Sequence, residues 1–342
     1  MSRPARRCLP ALVCLLGLSL ACNVSRLPRA GTTTVPAPLP TLAAPLEPTL
    51  TASPTATLPP PTWTPVPTPI PQPIFAGQPP AGRIVFTCSF DSFDQICLMN
   101  ADGSQLTRLT TFAATEFYAS LTRDGSEILF SSRRGGAFQI YAMNTDGTDL
   151  RRLTNGLGSL YAPELSPDGT AIVFTVESGG TQAIWLMDPD GSNPRSLTAG
   201  QGDSIDPTWS PDGTQIAFAS TRSGPRELWV MNRDGSDPRR VTDLPNMGGR
   251  SSWSPDGARL AFYEGPTSDH NVYTIAVDGS DLRQLTHGGD NLAPSYSPDG
   301  AWIVFTSFRD GNNEIYVMHP DGTQQTRLTF ASRADWQPRW GP

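Results

Sequence analysis

The tetrapeptide Ser-Pro-Asp-Gly places a hydroxyl next to a carboxylate, two groups that a hydrolase could use as nucleophile and base. It occurs four times, at 166–169, 210–213, 254–257 and 297–300. An enzyme needs a catalytic motif once, whereas this tetrapeptide recurs at regular steps of 43 or 44 residues. We therefore interpret the tetrapeptide as a repeated turn, in which Asp-Gly supplies the positive φ that a tight hairpin requires.

Other residues that could carry chemistry are scattered along the chain. His270, His287 and His319 lie in three different parts of the sequence, and no two have the spacing of a zinc site. The acidic stretches 144–149 and 188–193 lack the first oxygen ligand of a calcium loop. The chain contains no G-x-S-x-G nucleophile elbow. We expect no catalytic residue, no metal site and no cofactor.

The five cysteines fit a protein that is exported. Cys8 and Cys14 fall in an N-terminal apolar segment, and Cys22 directly follows it. Cys88 and Cys97 remain as one pair, which in an oxidising compartment predicts either a disulfide between neighbouring strands or two buried thiols. Either state gives the pair a structural role.

Residues 1–22 have the order of an export signal, with a basic start followed by the apolar stretch 9–20. The small residue Ala21 before Cys22 resembles the end of a bacterial lipoprotein signal, which implies that Cys22 carries a lipid. A signal cleaved to release a soluble protein and an uncleaved anchor are the alternatives. The expected location is the cell envelope, anchored by lipid on the periplasmic or extracellular side of a membrane, with soluble secretion as the alternative.

Residues 23–80 hold 17 of the 35 prolines, mixed with Thr and Ala. Such a segment buries too little apolar surface to offset the entropy of ordering, and proline favours extended polyproline II. We predict a disordered tether, or a tail without a spacing role. The formal net charge of −7 argues against nucleic acid, because phosphate binding needs clustered Lys and Arg. Membrane contact is expected only through the lipid.

From residue 81 the sequence repeats. Asp-Gly recurs in two interleaved series, starting at Asp102 and Asp124, with steps of 43 or 44 residues. Each unit contains four short apolar runs separated by turn residues, and a period of this length predicts propeller blades. The array begins with a second strand at 82–89 and ends with a first strand at 335–340, so both ends would build one blade. The sequence predicts an all-β, six-bladed propeller of four-stranded blades over 81–342.

The segment WSPDGTQIAFASTRSGPRELWVMNRDGSDPRRVT, at 209–242, resembles the WD40-like repeat of the TolB propeller family, also called PD40. The same repeat occurs in the propeller half of prolyl oligopeptidase-type enzymes. The resemblance covers 81–342 and implies the propeller fold. It leaves function open, since one propeller fold serves binders, scaffolds and enzymes.

The predicted topology separates two faces. Both Asp-Gly turns of each unit emerge on one side, which we call the turn face, and the more variable loops emerge on the other, the loop face. Ligands of propellers generally bind at loops around the channel mouth. The candidate binding residues predicted for the loop face are Asp91, Asp94, Glu116, Arg133, Arg134, Glu177, Asp206, Arg222, Arg250, Glu264, Asp290, Arg309 and Asp335.

This mixed but acidic rim favours a protein, a basic peptide or a cation over a polyanion. The leading hypothesis is a non-catalytic interaction module of the cell envelope that binds a protein or peptide through its loop face. The first alternative is a propeller enzyme, a lyase or hydrolase acting on envelope or extracellular glycans. The second is a spacer or assembly element.

Overall fold

The computed structural model describes residues 71–342, and within them every regular element is a β-strand. The predicted signal, Cys22 and most of the predicted tether lie outside this range. The first twelve strands are β1 Arg83–Phe90, β2 Phe93–Asn100, β3 Thr107–Arg108, β4 Glu116–Leu121, β5 Glu127–Ser132, β6 Gln139–Asn144, β7 Arg151–Arg152, β8 Ser159–Leu165, β9 Ile172–Ser178, β10 Thr181–Met187, β11 Arg195–Ser196 and β12 Ser204–Trp209.

The remaining twelve strands are β13 Gln215–Ser220, β14 Glu227–Asn232, β15 Arg239–Arg240, β16 Ser252–Trp253, β17 Arg259–Glu264, β18 Asn271–Ala276, β19 Arg283–Gln284, β20 Asn291–Tyr296, β21 Ile303–Ser307, β22 Glu314–Met318, β23 Thr326–Arg327 and β24 Asp335–Gly341. They form six four-stranded antiparallel sheets. The predicted six-bladed propeller is confirmed. In the described part of the chain, no helix is long and apolar enough to cross a membrane.

The ring closes through a blade built from both ends of the array, as predicted. The sheet order is β24-β1-β2-β3, and Arg83 of β1 pairs with Gly341 of β24. The residues before β1 also contact the propeller, because Phe75 packs edge-on against Trp302 with ring centroids 5.9 Å apart. The last part of the predicted tether is therefore packed on the propeller.

A disulfide joins Cys88 of β1 to Cys97 of β2, with Cα atoms 5.9 Å apart. The two residues are not directly opposite, since Cys88 pairs with Gln95 and Cys97 pairs with Phe86. Both cysteines are fully buried in the core between the first and last blades. The bond therefore braces the blade that closes the ring.

Each blade contributes one fully buried phenylalanine from its second strand to the core. Burying such a ring contributes about 2 to 3 kcal/mol. The six residues are Phe86, Phe130, Phe174, Phe218, Phe262 and Phe305. Aromatic residues of the third strands lie directly opposite, as in the pairs Phe130–Tyr141 and Phe218–Trp229. The phenylalanines therefore form a repeated part of the core.

A threonine after each fourth strand forms a hydrogen bond with the third strand of the same blade. Its Oγ1 accepts the backbone N–H of the residue 14 positions earlier, at 2.9 to 3.0 Å. These hydrogen bonds satisfy buried main-chain donors in the third strand. The six threonines are Thr110, Thr154, Thr198, Thr242, Thr286 and Thr329.

Candidate functional site

The Ser-Pro-Asp-Gly segments form the first hairpin of their blades, and their polar groups bind one another. Ser166 Oγ donates to Asp168 Oδ1 at 2.5 Å, and the same carboxylate accepts the backbone N–H of Thr170 at 3.1 Å. Hydrogen bonds of this kind from Thr122 and Ser126 lower the pKa of Asp124 to about 2. Because hydroxyl and carboxylate are both engaged in the turn, these contacts give the tetrapeptide a structural role.

The central channel is lined by the first strand of each blade, since consecutive first strands contact one another around the ring. In five blades a β-bulge interrupts this strand. The bulge residue has a left-handed φ between 49° and 57°, as in Tyr118 and Asp206. Arg250 holds the equivalent repeat position in the fifth blade. Bulges locally redirect side chains, and four of the five bulge residues line a cavity in the channel.

Two of the predicted residues meet in this channel. Asp206 and Arg250 are 5% and 3% exposed, and both line a cavity of about 100 Å³. Burial raises the pKa of Asp206, and Arg250 and Arg339 oppose that rise. Burial lowers the pKa of Arg250 to about 9, so its guanidinium remains charged at neutral pH. Asp206 and Arg250 thus lie together in the channel, where each affects the ionisation of the other.

Gly248 and Gly249 allow this arrangement, because both positions have no room for a side chain. A Cβ on Gly249 would lie 1.9 Å from Asp206 Oδ2, and a Cβ on Gly248 would lie 1.8 Å from the ring of Tyr263. Burial also raises the pKa of the Tyr263 hydroxyl to about 12. The two glycines therefore leave space for Asp206 of the fourth blade and for Tyr263 of the fifth.

A larger cavity of about 310 Å³ opens on the turn face, and we call it the turn-face cup. Its wall includes the residue at one repeat position near the end of each first strand, namely Leu121, Leu165, Trp209, Trp253, Tyr296 and Trp340. The indole of Trp209 donates to Glu164 O at 3.1 Å, and that of Trp253 donates to Thr208 O at 3.3 Å. These bonds join neighbouring blades, so the cup has a fixed wall.

The mouth of the turn-face cup carries prolines and one arginine. Pro211, Pro255 and Pro298 come from the repeated turns. The second blade has Arg123 at this repeat position, and its Nη1 donates to Pro211 O at 2.7 Å across two blades. At the floor, Arg339 donates from Nη1 to Ser251 O at 2.8 Å, while its buried Nε has no partner within residues 71–342.

On the loop face, four aromatic rings lie next to Phe117, and we call this group of five rings and the space beside it the aromatic cleft. The rings come from the first three blades and are Phe117, Tyr118, Phe138, Tyr161 and Trp336. The cleft encloses about 190 Å³, and its other wall holds Glu177, Gln182 and Asp206. It combines apolar ring faces with carboxylates.

Three predicted arginines share one structural arrangement instead of facing a binding site. Arg134, Arg222 and Arg309 each follow the second strand by two residues, and each donates Nε to the serine that ends it. Each guanidinium also lies over an aromatic ring of the third strand, at 4.7 to 5.3 Å. Sequence reasoning missed this role, although the 88- and 87-residue spacing of the three arginines is a signal for it.

Several predicted acidic residues lie in strands and are buried, contrary to their expected place in exposed loops. Glu116 begins β4 and forms an ion pair with Arg134, and Asp335 begins β24 and lies 3.2 Å from Arg333 Nε. Both carboxyl side chains are fully buried. The first strands start earlier than the loop prediction assumed, because the inter-blade connections are short.

The other predicted residues lie at or near the loop face. Asp91 is exposed in the β1–β2 turn, Asp94 accepts Ser89 Oγ at 2.6 Å, and Glu264 ends β17. Arg133 donates Nε to Gly136 O and lies 5.8 Å from the ring of Phe138. Glu177, which also belongs to this group of predicted residues, lines the aromatic cleft.

One predicted acid forms a pair with a histidine. Asp290 Oδ1 lies 2.6 Å from His270 Nδ1, next to the ring of Tyr263. No hydrogen bond within residues 71–342 joins this imidazole to a hydroxyl or thiol. In the same part of the chain, no three His, Cys, Asp or Glu side chains are placed to hold a metal ion.

Sequence reasoning missed most residues that line the channel and its mouths. Tyr118, Glu164, Tyr263, Gln337 and Arg339 were not among the candidates, although all line the cavities described above. Comparing each repeat at the bulge position would have found Tyr118 and Gln337, because they are large residues where other blades have alanine.

Comparison with known proteins places these features in a family. The model of the PD40 family, the TolB beta propeller domain, matches residues 153–247 and 240–342. No curated protein sequence matches the chain. TolB from Acinetobacter baumannii has the same fold, with a TM-score of 0.68 and 23% identity over 76% of this chain and 67% of that one.

Two other structures share the fold at lower identity. Hydrazine synthase from Kuenenia stuttgartiensis has a TM-score of 0.63 and 19% identity, over 76% of this chain and 46% of that chain. A chain of a nidogen/laminin complex has a TM-score of 0.64 and 11% identity, over 76% of this chain and 98% of that one. Likeness at these identities concerns the fold alone, whereas the family match spans more than half of the sequence. The chain therefore belongs to the TolB beta-propeller (PD40) family.

Proposed function

We propose that this protein is a non-catalytic interaction module of the cell envelope, and that it binds a peptide segment of a partner protein in the turn-face cup. The observation that supports the proposal is the cup itself, a cavity of about 310 Å³ to which every blade contributes. Concave, largely apolar sites with a few polar groups are where ligands bind. The loop face, where the sequence predicted binding, has smaller cavities.

The lining of the turn-face cup indicates what the segment contains. Proline and leucine side chains at the mouth and wall favour apolar side chains of an extended peptide. Arg123 at the mouth and Arg339 at the floor supply donors for carbonyl or carboxylate oxygens. We therefore expect an extended apolar segment that presents a carboxylate or free carbonyl oxygens toward Arg339.

The arrangement of polar groups favours binding over catalysis. The serines nearest the cup donate to the aspartates of their own turns, as Ser210 does to Asp212 at 2.6 Å. Glu164 accepts Thr208 Oγ1 and the backbone N–H of Trp209. A hydrolase needs a nucleophile within reach of a free base. We find no observation that favours the glycan-enzyme alternative over binding.

The envelope location is part of the proposal and rests on the sequence. The export signal at 1–22 and the proline-rich segment that follows it would hold the propeller outside the cytoplasm. Lipid attachment at Cys22 predicts a mature chain that begins with this residue and carries acyl chains. Mass spectrometry of the N-terminal peptide from purified membranes tests the attachment directly.

Site-specific photo-cross-linking in the living cell tests the binding site. A photoreactive phenylalanine derivative at Pro298, in the mouth of the turn-face cup, is expected to cross-link one envelope protein. The same residue at Pro194, exposed after an outer turn of the same face, serves as the control. Arg123→Glu should reduce the Pro298 adduct, whereas Arg195→Glu on an outer strand should not.

Two results would contradict the proposal. Equal cross-linking from Pro298 and Pro194 would mean that the cup is not the contact surface. Turnover of a glycan by the purified protein would refute its non-catalytic role. With the partner in hand, calorimetry should give about tenfold weaker binding for Arg123→Glu, the loss expected for one charge-assisted contact.

A further inference from the structure

The aromatic cleft on the loop face lies on the opposite side of the ring from the proposed peptide site. We infer that this cleft is a second binding site, which takes the cationic side chain of a lysine or arginine from a peptide. The inference does not depend on the turn-face cup. It rests on the ring geometry, on the carboxylates beside the rings and on the enclosed volume.

Three of the rings, Phe117, Tyr118 and Tyr161, line the cleft. Phe117 is nearly parallel to Trp336 and to Tyr161, with centroid distances of 6.5 and 5.9 Å and interplanar angles of 18° and 27°. Phe138 meets Phe117 edge-on at 4.7 Å and fixes its orientation. The faces of aromatic rings carry the negative part of the quadrupole, so a set of nearly parallel faces attracts cations.

Carboxylates lie on the opposite wall of the cleft. Glu177 accepts a hydrogen bond from the Tyr161 hydroxyl and lines the cavity with Gln182. Asp203 Oδ1 accepts the backbone N–H of Gln182 at 3.0 Å. Burial raises the pKa of Asp206, the other carboxyl group that lines the cleft. Glu177 therefore provides the negative charge that is available to a ligand.

The nearby arginines leave this wall of the cleft open. Arg133 lies over the ring of Phe138 and donates to Gly136 O. Arg222 lies over the ring of Trp229 in the fourth blade and donates to Ser220. Arg250 lies over Tyr118 on the channel side. The cleft of about 190 Å³ is thus bounded by cations but contains none of their side chains.

The ring faces and Glu177 disfavour an anion, since both present negative charge to the ligand. A purely apolar side chain would desolvate the Glu177 carboxylate without supplying an opposite charge. A lysine or arginine places its apolar stem against the rings and its charge at the Glu177 carboxylate. The cleft therefore matches a basic side chain better than either alternative.

Binding of short capped peptides to the full-length protein tests the site. The probes are Ac-Gly-Arg-Gly-NH2, its lysine counterpart and a neutral counterpart with norleucine, each followed by saturation-transfer NMR and titration. We expect the arginine and lysine peptides to bind and the norleucine peptide not to bind. Because charge contributes, added salt should weaken binding.

Substitutions identify the residues responsible. Glu177→Gln and Tyr161→Ala should each weaken arginine-peptide binding at least about threefold, in keeping with the strength of cation–π contacts. Tyr161→Phe, which keeps the ring, should retain binding. The matched controls on the same face are Glu264→Gln and Phe308→Ala, which should leave binding unchanged.

Several results would overturn the inference. Equal binding of the norleucine peptide would make the cleft a general apolar site. Binding of a neutral oligosaccharide with the same dependence on Tyr161 would make it a glycan site. No binding of either basic peptide, with thermal unfolding showing the protein folded, would mean that the cleft is not a site. Arg123→Glu should leave basic-peptide binding unchanged, so failure of the turn-face proposal would be seen separately.

Discussion

Asp335 is a buried carboxyl group at the seam of the propeller, and it should make the stability of the protein depend on pH. It begins β24, lies opposite Cys88 of β1 and is fully buried. Burial raises its pKa to about 7, Arg333 opposes that rise, and the nearby carboxylate of Glu314 adds to it. At pH 6 Asp335 is therefore mostly protonated in the folded protein.

The sign of the effect follows from proton binding. In the unfolded chain the group ionises near its ordinary value of 3.8, whereas in the folded protein it keeps its proton up to about pH 7. Between these values folding takes up a proton, so the free energy of unfolding falls as pH rises. The full change amounts to about 4 kcal/mol, of which about 3 kcal/mol falls between pH 5 and pH 8.

Asp335→Asn tests this effect, because the amide has nearly the shape of the protonated acid and does not ionise. Relative to the unchanged protein, the variant should gain about 3 kcal/mol in free energy of unfolding between pH 5 and pH 8. Urea denaturation followed by tryptophan fluorescence at several pH values gives this difference. The control is Asp91→Asn, at an exposed turn residue.

The pH dependence of the Asp335→Asn variant can contradict this prediction. If the difference between Asp335→Asn and the unchanged protein stays constant from pH 5 to pH 8, Asp335 does not titrate in that range. A difference that grows toward low pH would mean that the ion pair with Arg333 outweighs burial. A matching trend in the Asp91→Asn control would assign the effect to global charge.

Two further predictions concern the scaffold. Replacing Cys88 and Cys97 together by alanine should lower the free energy of unfolding by about 2 to 3 kcal/mol, because a disulfide that closes a short loop restricts the unfolded chain by about this amount. Unfolding with and without reductant checks this prediction, since reductant should leave the stability of the double variant unchanged. Thr242→Val should cost about 2 to 3 kcal/mol, because Thr242 Oγ1 accepts a backbone N–H and donates to Glu227. In the same urea assay Thr198→Val should lower the free energy of unfolding by about 1 kcal/mol, since that repeat has alanine where Glu227 stands in the fourth blade. Equal losses of stability in the two variants would contradict a role for the carboxylate.

The fold could be predicted nearly completely from the sequence, because every repeat gives the same signals for the same strands and turns. Each Asp-Gly turn locates a hairpin, and the order of strands at the two ends shows how the ring closes. The pairing of Arg83 with Gly341 follows from that order. Local signals of this kind suffice where every blade repeats the same turn chemistry.

The candidate site was harder to predict, because the repeat pattern does not show which charged residues are buried. Arg222 and Arg309 look like exposed loop residues, yet their guanidinium groups stack on rings that the third strand supplies. Glu116 was placed in a loop although it begins a strand and pairs with Arg134. Such contacts join residues of different strands and depend on register, which a single sequence does not reveal.

The bulge in the first strands explains how one backbone supports different channel chemistry. A left-handed conformation costs a residue other than glycine about 1 to 2 kcal/mol, yet it recurs at this position whether the residue is large, small or charged. Five of the six equivalent residues have it, namely Tyr118, Ala162, Asp206, Ala293 and Gln337, and the sixth is Arg250. In those five blades the conformation is therefore set by the fold, and the side chain is free to vary.

The two mouths of the channel differ in whether their lining residues are shared among the blades. The turn-face cup is built largely from positions that the repeats share, such as Trp209, Trp253 and Pro255. The aromatic cleft depends on Phe117 and Tyr161, whose rings other blades do not repeat as a set. Replacing the third blade by a copy of the fourth, which leaves Arg123 and Arg339 in place, should thus be tolerated by binding in the cup, whereas binding in the cleft should be lost.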